Sequence, residues 1–377
     1  MKILHFSDTH LGYNELDKVG SNGVNLREQD FYDAFSYVID QALILRPDLI
    51  IHSGDFFHRP SPPNRPKIFA LEQLSRLSSA KIPILIIAGN HETPKTIYTS
   101  PILRAFNTID GVWAIHGQAY EQFEFGELVV HGLPHINDDK VQLSEMEKIK
   151  PVDGKFNIIL LHTSIGKRFI MEEYGEKLYP PERMELLNQF NYVALGHWHN
   201  FQKVSKLDAG WYCGSTERMS DTEAGIDKGF CTFELEKDKV VVPDFHVIPT
   251  RNWLQLTIEN CHEKTVDDIE DLLEDFAKSN PIKDAIVTLQ LLKVKSSQSI
   301  TLTNRKIKTI FQTAIQVLIK RQFSDDVLQN PGIAQKTERL DTLMKDFILT
   351  NIEEKSQAAA LVEAAQKYIN LYETGEW

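Results

Sequence analysis

Five apolar runs in this chain end the same way. KILHF runs into Asp8 and His10, and LIIHS runs into Gly54, Asp55 and His58. IPILIIA runs into Gly89, Asn90, His91 and Glu92. FNIILL ends on His162, and YVAL ends on Gly196, His197 and His199. Short apolar runs bounded by polar and glycine clusters read as buried strands. Helical patterns separate the first three. LREQDFYDAFSYVIDQALIL carries Phe31, Phe35, Val38, Ile39, Ala42 and Leu45 at helical spacing, and RPKIFALEQLSRL has Pro66 near its first turn. The rhythm predicts an α/β chain with crossover helices. In such sheets ligands bind beyond the carboxyl ends of the strands, where these polar groups gather.

The residue types set the chemistry. Imidazole and carboxylate donors suit divalent manganese, iron or zinc better than magnesium or calcium, which favour all-oxygen shells. Two ions about 3.5–4 Å apart can lower the pKa of a shared water and clamp a phosphate for in-line displacement. The glycines before Asp55, Asn90 and His197 let the backbone turn sharply close to the ions. Capping of a turn is the plain alternative for Asp8 and His10, but it does not explain four further strand ends of the same kind. Cys213, Cys231 and Cys261 share no metal-type spacing, which argues against a structural zinc and suits a reducing cytoplasm.

A length of 377 residues predicts more than one domain. No apolar run reaches the roughly 20 residues of a membrane span, and no secretory signal is visible, so a cytoplasmic protein is expected. The net charge of −12 argues against a general nucleic-acid binder. Yet Ala285–Ser324 holds no acid, while Lys293, Lys295, Arg305, Lys306, Lys308, Lys320 and Arg321 are basic. The character of the chain changes near Pro249. WLQLTIEN, a helix over 265–278, AIVTLQLLKV and a helix over 304–319 form a small α+β unit. Two helices, about 337–350 and 354–372, then run to the end; the last has an apolar stripe suited to a partner groove.

Taken together, DTH, GDFFH, GNHE, the lone His162 and GHWH resemble the five motifs of the calcineurin-like metallophosphoesterases. SDTHLGY, GDFFHRPSPPN and CGSTERMS with KGF (Cys213 to Phe230) further resemble one branch, the SbcD-type nucleases of double-strand-break repair. That branch includes the meiotic-recombination nuclease of archaea and eukaryotes. The likeness covers roughly Met1–Val247.

The resemblance implies a β-sandwich flanked by helices in four α/β/β/α layers over residues 1–249. It implies an α+β capping, DNA-binding domain over 250–328 and C-terminal helices over 329–377 that dock an SbcC-type ABC, SMC-like ATPase. It implies two Mn2+ per chain. Asp8, His10, Asp55 and His199 would hold one, and Asp55, Asn90, His162 and His197 the other. His91 would act on the scissile phosphate, with His58 supporting it. Glu92 stands where the family more often has aspartate, and an acid there would orient His91. The implied activities are 3′-to-5′ exonuclease on duplex ends and endonuclease on single strands and hairpins, in a homodimer associated with the nucleoid. Another two-metal phosphoesterase acting on nucleotides or phosphoproteins is the alternative. Protein phosphatases carry an Asp-Arg pair where this chain has FFHRP. A non-catalytic scaffold would have lost ligands, and all seven are present.

Overall fold

A computed structural model describes residues 1–324 apart from 17, 97 and 167–176, together with 361, 362 and 364. The C-terminal helices expected over 329–377, with their partner-docking role, lie outside the described residues but for those three positions. The chain divides into two compact units. The first comprises Met1–Leu256, Glu274–Leu289 and Lys308–Ile319; the second takes in Thr257–Leu273 and Gln290–Ile307.

Two six-stranded sheets dominate the first unit. In the first sheet β1 (Lys2–Phe6), β2 (Leu49–His52), β3 (Ile84–Ile87) and β4 (Val112–Ile115) run parallel, and β11 (Gly229–Glu234) and β12 (Asp244–Val247) extend it antiparallel. The second sheet has the order β5-β6-β7-β8-β10-β9. Its strands are β5 (Glu121–Phe125), β6 (Leu128–Leu133), β7 (Phe156–His162), β8 (Tyr192–Gly196), β9 (Gln202–Lys203) and β10 (Gly210–Tyr212).

Strand alternation sorts the side chains into three apolar layers. Ile3, Leu49, Ile51, Leu85 and Ile87 meet Leu128, Val130, Ile158, Leu160, Tyr192 and Ala194 between the sheets. The opposite face of the first sheet (Leu4, Phe6, Ile50, Ile84, Ile86) packs on α1 (Leu26–Leu45) and α2 (Asn64–Ser79) through Phe35, Val38, Ile39, Ala70 and Leu74. The outer face of the second sheet (Ile159, Leu161, Val193, Leu195) packs on Met146 of α3 (Asp139–Met146) and Leu187 of α4 (Met184–Leu187). The result is an α/β/β/α sandwich, with β1, β2, β3, β7 and β8 delivering their C-terminal ends to one rim.

Beyond the sandwich, β13 (Trp253–Ile258), β14 (Ile286–Val294) and β15 (Gln316–Phe323) form a three-stranded sheet. The chain also carries α5 (Val266–Ser279), α6 (Ser296–Thr301) and α7 (Asn304–Ile310). The helix expected over 304–319 therefore ends at Ile310, and Gln316 onward is a strand. Val317 and Ile319 are β-branched and fit a pleated surface beside β14 better than a helix. Among the described residues no helix is long and apolar enough to cross a membrane.

Candidate dinuclear metal centre

Each strand end turns abruptly into the rim. Asp8, His10, Asp55 and His197 all have positive φ (51°, 40°, 54° and 94°). Left-handed backbone is costly for residues with a Cβ and concentrates at functional sites. Tight turns, and not extended backbone, thus carry Asp8, His10 and His197 into the rim. Thr9, between the first pair, points into the core, where its hydroxyl donates to the Phe56 carbonyl at 3.0 Å. Glycines clear the space: a Cβ on Gly89 would strike the Asp55 carboxylate, and one on Gly54 or Gly196 would strike the His162 ring.

The turns converge their donor atoms. Asp8, His10 and His199 each bring one donor atom to within 4.8 Å of the others, and so do Asp8, Asp55 and His162. The Nε2 atoms of His10 and His199 lie 3.2 Å apart. His162 Nε2 is 3.0 Å from Asn90 Oδ1 and 3.2 Å from Asp55 Oδ2, which stands 3.7 Å from His10 Nε2. Donors around one ion at about 2.1 Å lie about 3 Å from each other, so these separations fit shared cations. Asp55 faces a histidine of each group with the same oxygen, the position of a bridging ligand. His197 stands beside His162, their ring centroids 5.3 Å apart, and its backbone N–H donates to Asp8 Oδ1 at 2.9 Å.

Outer contacts aim the rings. His162 Nδ1 donates to the Ser53 carbonyl at 2.8 Å, which leaves Nε2 its lone pair. His5 lies beneath, its Nε2 2.9 Å from Ser53 Oγ and its Nδ1 3.1 Å from Tyr192 Oη. Burial drives the pKa of His5 down to about 3 and that of His10 well below its ordinary value, so both imidazoles are neutral. At Asp55 burial opposes the charge, but His162 and His91 outweigh it and hold the carboxyl well below the usual range. At His162 burial is likewise overcome, mainly by Asp55, and the pKa rises to about 10. A proton there stands in for part of the positive charge the cradle is built to hold.

His91 and His58 adjoin this cradle. His10, His58 and His91 form a third close trio. His91 Nδ1 donates to the His58 carbonyl at 3.1 Å, its backbone N–H donates to Asp55 Oδ1 at 2.9 Å, and the two rings stack with centroids 5.1 Å apart. Burial, then His91 and Arg59, bring the His58 pKa down to about 4. Glu92 differs from expectation. Its Oε1 accepts from the backbone N–H groups of Gly89 (2.9 Å) and Phe56 (3.2 Å), so it braces two rim loops together. The His58 carbonyl, and not Glu92, is what holds His91 Nδ1.

One pair escaped the sequence reading. Glu223 Oε1 accepts from His199 Nδ1 at 3.0 Å, and Lys228 pairs with the same carboxylate while donating to the His199 carbonyl at 2.8 Å. Burial opposes the charge on Glu223, but His199 and Lys228 bring its pKa down to about 2. Lys228 is the lysine of the KGF signal noted above; nothing in its spacing linked it to a histidine 29 positions earlier.

A buried cradle of imidazoles around a shared carboxylate, at the rim of a four-layer sandwich, defines a phosphoesterase built for a pair of divalent cations. Comparison with known proteins agrees. Residues 1–201 match the calcineurin-like phosphoesterase family. The DNA double-strand break repair protein Mre11 of Sulfolobus acidocaldarius is 30% identical over 360 residues, 92% of this chain and 86% of that one. The protein of the same name from Methanococcus maripaludis is 28% identical over 350 residues, 84% and 91%. That of Sulfurisphaera tokodaii is 37% identical over 214 residues, 55% of this chain and about half (51%) of its own length. The chain belongs to the calcineurin-like phosphoesterases and, within them, to the Mre11 family.

Proposed function

We propose that this protein is a manganese-dependent DNA nuclease that processes ends in double-strand-break repair. The observation that carries the reading is the convergence of Asp8, His10, Asp55, Asn90, His162, His197 and His199 on one rim of a chain whose relatives are named for that repair. Asp8, His10, Asp55 and His199 would hold one Mn2+, and Asp55, Asn90, His162 and His197 the other. The pair supplies an activated water and a clamp for the phosphate.

The protein's own groups do the rest. The His58 carbonyl accepts from His91 Nδ1, which turns Nε2 toward the cradle, where it would serve the leaving oxygen as an acid. His58, neutral near pH 7 with a pKa of about 4, stacks on the His91 ring and holds its plane. The reading extends to 3′-to-5′ exonuclease action on duplex ends and endonuclease action on single strands and hairpins. It assigns 1–249 to catalysis, 250–328 to capping and DNA contact, and 329–377 to docking the ABC-type ATPase, in a cytoplasmic, nucleoid-associated homodimer. Exposed Lys293, Lys295, Lys308 and Lys320 support phosphate contact by an otherwise acidic chain.

The test is an assay with Mn2+ on end-labelled duplex and single-stranded DNA, with and without a coiled-coil ATPase. The wild type should cut, and Asp8→Ala and His91→Ala should not. Equal cutting by the variants, or none by the wild type under any condition, overturns the proposal.

A further inference from the structure

We propose that Glu223, locked in place by Lys228, is a positioning residue for His199: it fixes the proton on Nδ1 so that Nε2 alone faces the metal. This rests on the reading that His199 is a ligand.

The geometry is specific. Glu223 lies 24 residues after His199, on a short 3-10 turn (Asp221–Glu223) outside the five motifs. Its Oε1 meets His199 Nδ1 at 3.0 Å, and an unprotonated carboxylate can only accept, so Nδ1 must donate. The Nε2 lone pair then points at His10 Nε2, 3.2 Å away, where a cation fits between. Lys228 is 1% exposed and buried lysines are rare unless paired. Its ammonium reaches both ends of the assembly, the Glu223 carboxylate and the His199 carbonyl at 2.8 Å. One cation thus ties the backbone of the ligand to the group that orients its ring. Ser215 N–H donates to the same His199 carbonyl at 3.1 Å, which fixes the loop from a second side. A lysine that only neutralised a stray carboxylate would need no contact with the ligand's own backbone. Carboxylates behind ligand histidines fix the tautomer and raise basicity, and losing one costs 10- to 100-fold in metal affinity.

The experiment titrates the chelator-stripped full-length chain with Mn2+ and reads free ion by electron paramagnetic resonance. Thermal melting of the metal-free chains checks folding. Wild type should bind two ions, and His199→Ala should lose one. Glu223→Ala should weaken that same ion about 10- to 100-fold and leave the other unchanged. Glu223→Gln keeps an acceptor oxygen toward Nδ1 and should lose less. In the His199→Ala background, Glu223→Ala should cost the remaining ion nothing, because its effect runs through His199. Wild-type affinity in Glu223→Ala overturns the proposal. So does an equal loss with and without His199, which marks a general structural role. If Glu223→Ala does not fold, Glu223→Leu, which also offers no acceptor to Nδ1, carries the same cycle, and wild-type affinity there is the overturning result. Two ions bound normally by His199→Ala would instead sink the ligand assignment itself.

Discussion

The Nε2 atoms of His10 and His199 face each other across 3.2 Å, although the two residues stand 189 positions apart on different sheets. Both rings present their inner nitrogen to the same point, and a cation there satisfies both. His10→Ala and His199→Ala should therefore lose the same single ion and cut DNA more than about 100-fold more slowly. Calorimetric Mn2+ titration of each variant checks it; loss of different ions, or of none, contradicts the shared site.

Metal and proton compete at His162. Its pKa rises to about 10 in the metal-free protein, so binding the cation must expel a proton across the neutral range. Apparent affinity should climb with pH, by up to about tenfold per unit, until pH approaches 10. In the metal-free chain the sign reverses. The protonated ring's contribution to stability is complete below the ordinary histidine value of about 6.5 and is lost as pH rises through about 10. Calorimetry in buffers of different ionisation enthalpy counts the protons released.

His91 meets the metal cradle through its backbone N–H, which donates to Asp55, and through its ring, whose centroid lies 4.7 Å from that of His10. His91→Gln should keep both ions while kcat falls about 100- to 10,000-fold, the usual share of a general acid. Loss of metal binding in this variant would make His91 a ligand and not an acid.

Gly89 lies against Asp55, and a Cβ there would collide with its carboxylate. Gly89→Ala should cost about 1–3 kcal/mol of stability as the loop shifts, and weaken both ions together. A variant that melts and binds metal like the wild type would show that the rim is looser than its geometry implies.

Within the first unit Arg251 grips Asp30 with two nitrogens, at 2.6 and 2.8 Å, and Arg27 meets the same carboxylate at 2.5 Å. Asp30→Ala leaves the part-buried Arg251 without its anion and the buried Arg27 with Glu217 alone, 3.5 Å away. It should destabilise by about 3–5 kcal/mol, read as a drop in melting temperature of the metal-free chain.

The converging donors were legible because each ends an apolar run, and the types Asp, Asn and His have few other reasons to recur there. The α/β alternation followed from the same runs and their crossover helices, and the four-layer sandwich from the family resemblance that the motifs carry. Conformation was harder to read. Crowding at the rim imposes positive φ on Asp8, His10 and His197, which no pattern of apolar residues announces. Glu92 was read through its neighbour in sequence, but its carboxylate turns to the Phe56 and Gly89 amides. Glu223 and Lys228 left no local signal, since only folding brings them beneath His199. Gln316–Phe323 misled because Ile310, Ala314 and Val317 mimic a helical stripe, and the partner strand that decides the matter is distant in sequence.

The donors come from both halves of the sandwich: Asp8, His10, Asp55 and Asn90 follow strands of one sheet, and His162, His197 and His199 end or follow strands of the other. At the centre the sheets adhere through aliphatic side chains, which are indifferent to ionic conditions. At the rim, cations held by these donors would join them. Such ions would act as removable rivets, so that metal supply would set the clearance between the two sheets at the mouth of the site.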